Sequence, residues 1–155
     1  EVRVRKEYRD MTTQEWVAFK SAMDRVEAER GEIARWTRMH LENVRDAHGV
    51  ASFLPWHRLF VVAFEERLRQ FNPNVTIPYW DWTMDWSDPL SASIFQLFPV
   101  RSGGRGDCKY RRTVPEAHCL TRNYTAKAFT NFYSRQLIER IKRQSQSFES
   151  FWRMI

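Results

Sequence analysis

Residues 53–60 read Phe-Leu-Pro-Trp-His-Arg-Leu-Phe, and the chain continues at 61–68 with Val-Val-Ala-Phe-Glu-Glu-Arg-Leu. The apolar spacing predicts a helix from about Pro55 to Phe71, because residues three and four apart share a helix face. Proline is tolerated in a first turn, and Ser52 is placed to cap this helix. One face carries a histidine among apolar residues and the other carries most of the charge: His57, Val61, Phe64 and Leu68 against Glu65, Glu66, Arg67 and Arg69.

A second helical pattern precedes this one, from about Thr12 to Asp46. Residues 12–15, Thr-Thr-Gln-Glu, form a capping-box sequence in which Thr12 and Glu15 satisfy each other's backbone N–H groups. Gly31 is expected to break the run into two pieces. Helical stripes lie on either side of it: Trp16, Phe19, Met23 and Val26 before, and Ile33, Trp36 and His40 after.

The remainder of the chain is less regular. Residues 72–106 have little periodicity, and Cys108 to Cys119 is interpreted as a stapled basic loop. A last helix is predicted from about Thr125 to the end, with Phe129, Phe132, Phe148 and Trp152 among its apolar positions. The fold class that follows is mainly α with long irregular loops.

Three of the four histidines, His40, His48 and His57, fall within eighteen residues. They occupy a predicted helix end, a loop and a helix start, so a helix-loop-helix hairpin can point all three imidazoles at one spot. Three imidazoles without a thiolate suit copper, zinc or iron. A lone histidine in an apolar hairpin is more often structural, and the spacing by itself leaves that alternative open.

Length and charge limit the function classes. A chain of 155 residues suits one domain. Its net charge of +6 comes from scattered basic residues with no recognisable nucleic-acid-binding module, which argues against nucleic acid as a partner. The longest run without a charged residue, 89–100, has twelve residues against the roughly 20 of a membrane-spanning helix, so no transmembrane segment is expected.

The cysteines and the sequons bear on the compartment. Cys108 and Cys119 would form a disulfide in an oxidising compartment and stay reduced in the cytosol. Two glycosylation sequons begin at Asn74 and Asn123. Together these features favour a secreted, extracellular protein with a disulfide.

Several motifs in this sequence closely resemble the copper-A region of tyrosinases, a family of type-3 copper proteins. The matching stretches are Ala-His-Gly at 47–49, residues 53–60, Phe-Glu at 64–65 and Ile-Pro-Tyr-Trp-Asp-Trp at 77–82. Weaker similarities extend the resemblance over almost the whole chain. It implies the copper-A helical hairpin and the flanking helices of a tyrosinase-type four-helix-bundle domain.

The resemblance also implies a ligand set and a reaction. Each copper of that family takes three histidines, which carries over to His40, His48 and His57 as the ligands of one copper ion. The copper pair binds dioxygen and hydroxylates phenols or oxidises catechols to quinones. Some relatives link the second histidine to a nearby cysteine by a thioether, but position 46 here is Asp46 and no such bond is expected.

The copper-B histidines of the family have no counterpart in this chain. The one remaining histidine, His118, is interpreted as a surface residue. Residues 1–155 are therefore expected to be the N-terminal, copper-A half of a central domain, completed by a second chain or segment or by a homodimer. The alternative function is a non-catalytic secreted protein, derived from such a half, that binds metal or anionic surfaces.

Three further residues are candidates for supporting the ligands. Asp81 lies among aromatic residues and needs a partner, for which Arg58 is the candidate; the alternative is an exposed Asp81. Glu65 either orients a ligand histidine or faces solvent, and solvent is favoured.

Overall fold

The computed structural model describes residues 2–97, 108, 111–121 and 132–154. The chain forms two compact units, residues 1–79 and 80–155. The sequon at Asn123, the apolar position Phe129 and the expected helix start at Thr125 lie outside the described residues.

The first unit is helical. Its helices are α1 (Thr13–Ala28), α2 (Glu32–Glu42), α3 (Val44–Ala47) and α4 (Phe53–Arg69), preceded by a 3₁₀ turn at Tyr8–Asp10. The helical run expected from Thr12 to Asp46, with one break at Gly31, is therefore divided into three helices rather than two. Gly31 makes the first division, as predicted: its φ of 81° lies in the left-handed region, where glycine carries no Cβ penalty.

Helix α1 begins and packs as its sequence predicts. The Thr12 hydroxyl accepts from the Glu15 N–H, and the Glu15 carboxylate accepts from the Thr12 N–H, which confirms the capping box. The buried side chains Phe19, Ala22 and Val26 lie on one side of the helix. Because α1 contacts both α2 and α4, this side forms the core of the first unit together with Leu68.

The N-terminal segment is tied to the segment that follows α4. The Tyr79 N–H donates to the Lys6 carbonyl at 3.0 Å, and the Tyr8 N–H donates to the Tyr79 carbonyl at 2.9 Å. These bonds form an isolated parallel bridge between Glu7 and Tyr79. The first unit is thereby closed by residues from its two sequence ends.

The second unit contains short elements. Two 3₁₀ turns (Trp82–Met84 and Pro89–Ser91) and α5 (Ile94–Leu97) are followed by the antiparallel strands β1 (Arg111–Arg112) and β2 (His118–Cys119). The expected last helix is two helices, α6 (Arg135–Gln144) and α7 (Phe148–Trp152), and Phe132, which was expected to lie in it, precedes both. A disulfide joins Cys108 to Cys119 and closes the loop formed by the residues between these two cysteines, which confirms the stapled loop.

The described residues include no helix that is both long enough and apolar enough to cross a bilayer.

Candidate metal centre

The helical hairpin of the first unit positions the three histidines. His40 lies in the last turn of α2, His48 directly follows α3, and His57 lies early in α4. Gly49, with a φ of 70°, turns the chain between the second and third histidines. Helix α4 begins at Phe53, within two residues of the predicted start, and Pro55 lies in its first turn.

Ser52 acts differently from the expected cap. It occupies the position before α4, but its side chain makes no capping hydrogen bond. Its hydroxyl donates instead to the Asp46 carbonyl at 2.5 Å. This bond joins the two ends of the loop that carries His48, so Ser52 holds the loop rather than the helix terminus.

The three imidazoles converge. Their ring centroids lie 5.0 Å apart for His40 and His48, 5.4 Å for His40 and His57, and 4.9 Å for His48 and His57. One ring nitrogen from each histidine lies within 4.8 Å of the other two. The structure therefore brings together the residues that the sequence singled out as candidate ligands.

Two backbone carbonyls orient two of the rings. The Nδ1 atom of His57 lies 2.8 Å from the Phe53 carbonyl, and the Nδ1 atom of His48 lies 3.2 Å from the Val44 carbonyl. A carbonyl only accepts, so each Nδ1 carries the proton and each Nε2 keeps its lone pair. A hydrogen bond of this kind on the distal nitrogen is usual for metal-binding histidines.

The surroundings of His40 favour its neutral form. Burial lowers the pKa of His40, and the nearby His48 and His57 lower it further. Aromatic rings line the site: Trp56 lies 5.6 Å and Phe60 5.8 Å from the His40 ring, centroid to centroid. Neutral imidazole is the form that binds a metal ion.

The donor set fits a metal ion held by nitrogen. Ligand nitrogens at about 2 Å from one ion in tetrahedral geometry lie about 3.3 Å apart. The Nε2 atoms of His40 and His57 are separated by 3.3 Å. Imidazole ligands suit copper as well as zinc. Both cysteines of the chain lie in the disulfide, so neither is available for a thioether to His48.

Glu65 is buried, which contradicts the expectation that it faces solvent. Its side chain is 2% exposed and accepts from Arg3 at 3.1 Å, from Arg5 at 2.7 Å and from the Ile77 N–H at 2.9 Å. Burial raises the pKa of Glu65, but the bonds from Arg5 and Ile77 and the charges of both arginines bring it below its ordinary value. Because these partners come from segments before and after α4, Glu65 fastens both segments to the helix.

Asp81 has an ion-pair partner, as a carboxylate among aromatic rings requires. Its Oδ2 accepts from Arg135 at 2.7 Å, and its Oδ1 accepts from the Thr83 hydroxyl at 2.5 Å. The pairing with Arg58 stays a prediction; Arg58 itself is exposed. His118 is exposed and its Nδ1 lies 2.7 Å from the Glu116 carbonyl, in agreement with a surface histidine.

Two residues on the helices that carry His40 and His57 were not singled out from the sequence as part of the site. Glu32 and Arg67 form an ion pair between α2 and α4, with 3.0 Å between Arg67 Nε and Glu32 Oε1. The signal that could have found Glu32 is its spacing, because Glu32, Trp36 and His40 recur every four residues along one face.

A mainly helical fold that gathers three imidazoles defines a candidate metal-binding protein of the histidine-ligated class. Residues 30–153 match the sequence model of the common central domain of tyrosinase. The chain belongs to the tyrosinase family.

Individual relatives agree with this assignment. Grixazone synthase of Streptomyces griseus is 35% identical over 151 residues, which covers 80% of this chain and 49% of that protein. Tyrosinase ustQ of Aspergillus flavus is 42% identical over 74 residues, covering 47% and 20% respectively. The tyrosinase of Streptomyces antibioticus is 49% identical over 43 residues, covering 28% and 16%. The chain thus spans about half, or less, of the length of these curated relatives.

Proposed function

We propose that this chain supplies the copper-A ligands of a tyrosinase-like oxidoreductase that hydroxylates phenols, oxidises catechols to quinones, or both. The observation that carries the proposal is the convergence of His40, His48 and His57, with the Nε2 atoms of His40 and His57 3.3 Å apart. His48 and His57 are preset to offer Nε2, since their Nδ1 atoms face backbone carbonyls.

The copper-B half of the site would come from polypeptide outside this sequence. A pair of copper ions, each held by three histidines, supplies the dioxygen chemistry in such a protein. The described residues gather three imidazoles, enough for one ion. We therefore infer that residues 1–155 form the copper-A half of a central domain and that a second histidine triad packs against it.

The surface of the hairpin supports a further packing partner. Helices α2 to α4 expose four large apolar side chains: Leu41, Val44, Phe53 and Leu59, between 37% and 69% exposed. Phe53 borders the site, because its ring centroid lies 4.5 Å from that of His57. Exposed apolar groups on the hairpin that carries the site favour an interface there. The role of this chain's residues would be to hold one ion and to form one apolar wall of the substrate site.

The decisive experiment compares the isolated chain with the native complex. Copper per chain is measured by elemental analysis, and quinone formation from catechol is followed by absorbance. We expect at most one copper per chain and no oxidation for the isolated chain, but two coppers and catechol oxidation for the complex. Robust catechol oxidation by the pure 155-residue monomer would contradict the proposal.

The same measurements separate the alternatives. If the native species is a homodimer with two coppers per two chains and catechol oxidation, the second triad comes from a second copy. If it holds one copper or none per chain and oxidises neither phenol nor catechol, the chain acts as a non-catalytic metal- or anionic-surface-binding protein.

We also infer an oxidising compartment, and hence secretion, from the Cys108–Cys119 disulfide. The sequon residue Asn74 is exposed and so accessible to a glycan. Mass spectrometry of the native protein before and after enzymatic glycan removal tests this. Unmodified Asn74 and Asn123 together with reduced thiols would contradict secretion.

A further inference from the structure

Three successive contacts join α2 to α4. From one contact to the next, the residue numbers rise along α2 and fall along α4. On α2 the contacting residues are Glu32, Trp36 and His40, one turn apart. On α4 they are Arg67, then Phe64 and Phe60, then His57. We name this arrangement the α2–α4 ladder. Its last rung is the His40–His57 pair of the metal site.

The first rung is the Glu32–Arg67 ion pair, which is shielded from water. The two side chains are 13% and 15% exposed. Arg67 also donates to Glu29 and to Gln70, and its guanidinium lies over the Phe71 ring. Arg67 is thus held from several sides, and it holds Glu32 in turn.

The middle rung links this ion pair to the aromatic core. The Trp36 indole Nε1–H donates to Glu32 Oε1 at 3.0 Å. The indole is 8% exposed and meets Phe60 and Phe64 edge to face, at centroid distances of 5.6 and 5.1 Å. A buried indole with a bonded N–H has one favoured orientation, because turning the ring would leave that N–H unpaired.

The middle rung also reaches the imidazoles. Phe60 lies 5.8 Å from the His40 ring and stacks on Trp56 at 5.2 Å, and Trp56 lies 4.9 Å from the His57 ring, all between centroids. Contacts from Trp36 therefore lead through Phe60 to both ligands. The Glu32 end of the ladder is eight residues from His40, about 12 Å along a helix.

We propose that Trp36 is a positioning residue of the metal site. Its indole, oriented by Glu32, fixes Phe60 and so holds His40 opposite His57 at a separation suited to one metal ion. The inference rests on the proposed function for the identity of the metal. The fixed orientation of the His40 and His57 rings, in contrast, is a property of the metal-free chain.

The first test uses the metal-free chain. Trp36→Phe keeps an aromatic ring and deletes the N–H, and Trp16→Phe on α1 is the matched control. Nitrogen-15 NMR of the histidine rings at fixed pH is expected to show broadened or split His40 and His57 signals in Trp36→Phe and wild-type signals in Trp16→Phe. Unchanged ring signals in a folded Trp36→Phe chain would overturn the inference.

The second test adds Cu²⁺. We expect Trp36→Phe to bind about tenfold more weakly, as changes behind metal ligands commonly do, and to give a heterogeneous electron paramagnetic resonance spectrum. Equal affinity and an unaltered spectrum would refute the positioning role. If the wild-type chain binds no copper, the proposed function fails, while the NMR comparison still decides the role of Trp36.

A second set of variants covers the case in which Trp36→Phe does not fold. Glu32→Ala removes the acceptor of the indole N–H, and Glu32→Gln restores an acceptor oxygen. Glu29→Ala is the control, since Glu29 also binds Arg67. Disordered ring signals in Glu32→Ala, partial rescue in Glu32→Gln and wild-type signals in Glu29→Ala support the inference. A Glu32→Ala spectrum identical to that of Glu29→Ala contradicts it.

Discussion

Helix α4 carries polar side chains on both halves, and the protein satisfies them differently. His57 has one nitrogen bonded to a backbone carbonyl, while its other nitrogen faces a second imidazole at 3.3 Å. Glu65, eight residues later, is 2% exposed and is saturated by two arginines and a backbone N–H. The first is a site arranged for an added ion, and the second is an ionic contact completed within the chain.

The difference teaches which polar cluster is available for chemistry. A saturated cluster stabilises the fold and gains nothing from a ligand, whereas imidazole nitrogens that converge on one point favour a cation. Burial alone would have selected Glu65 as the functional residue. The partners of each group, rather than its burial, separate the candidate metal site from the structural ion pair.

The largest expected effect is on the structural half of α4. Glu65→Ala should lower the free energy of unfolding of the metal-free chain by about 3 kcal/mol, because it leaves Arg5 and the Ile77 N–H without their acceptor and leaves Arg3 only its bond to Glu66. Denaturant unfolding measures this. The neighbouring Glu66→Ala, at an exposed carboxylate, should cost less than about 1 kcal/mol. Equal losses for the two variants would mean that Glu65 does not fasten the flanking segments.

The second effect concerns the ligand half. His57→Ala should weaken Cu²⁺ binding by about 100-fold, equivalent to about 2.7 kcal/mol, since one of the three proposed ligands is removed. Isothermal titration of the isolated chain measures the affinity. His118→Ala is the matched control, because His118 is an exposed histidine of the second unit, and it should bind as wild type does. Similar affinities for both variants would place the copper elsewhere.

The smallest expected effect is a pH dependence of the folding stability that comes from the ionisation of Glu32. The hydrogen bond from Arg35, with those from Trp36 and Arg67, outweighs burial and lowers the pKa of Glu32 to about 2 from 4.5. A carboxylate with a lowered folded pKa stabilises above about pH 4.5, and this contribution is lost as the pH falls towards 2. We expect about 1 kcal/mol, well below the full equivalent of the shift, because Arg35 is half exposed.

The test compares the thermal midpoints of metal-free wild type and Glu32→Gln across this range. The gap between them should be greatest at pH 5 and above and should shrink towards pH 2. A gap that does not change with pH would assign the loss to packing rather than to the charge of Glu32.

Local signals explain why the helices of the hairpin could be predicted. The apolar spacing around residues 53–68 gave α4 with its ends within two residues, and the Thr12–Glu15 capping box and Gly31 gave the start and end of α1. The prediction of one continuous last helix was wrong, because α6 ends at Ser145 and Ser147 caps a new helix, α7. Serine hydroxyls compete for backbone hydrogen bonds, which favours caps over helix interiors.

The features of the candidate site, like the helices, fall into those that the sequence predicted and those that it did not. The sequence by itself determined that His40, His48 and His57 share a hairpin, since each follows from a local helix or turn and from motifs of the tyrosinase family. Only the tertiary structure decided the role of Glu65 and Glu32, because their partners Arg3, Arg5 and Arg67 lie 35 or more positions away in sequence. Periodicity reports which face of a helix a residue occupies, but a buried charge depends on which distant segment supplies its counter-charge.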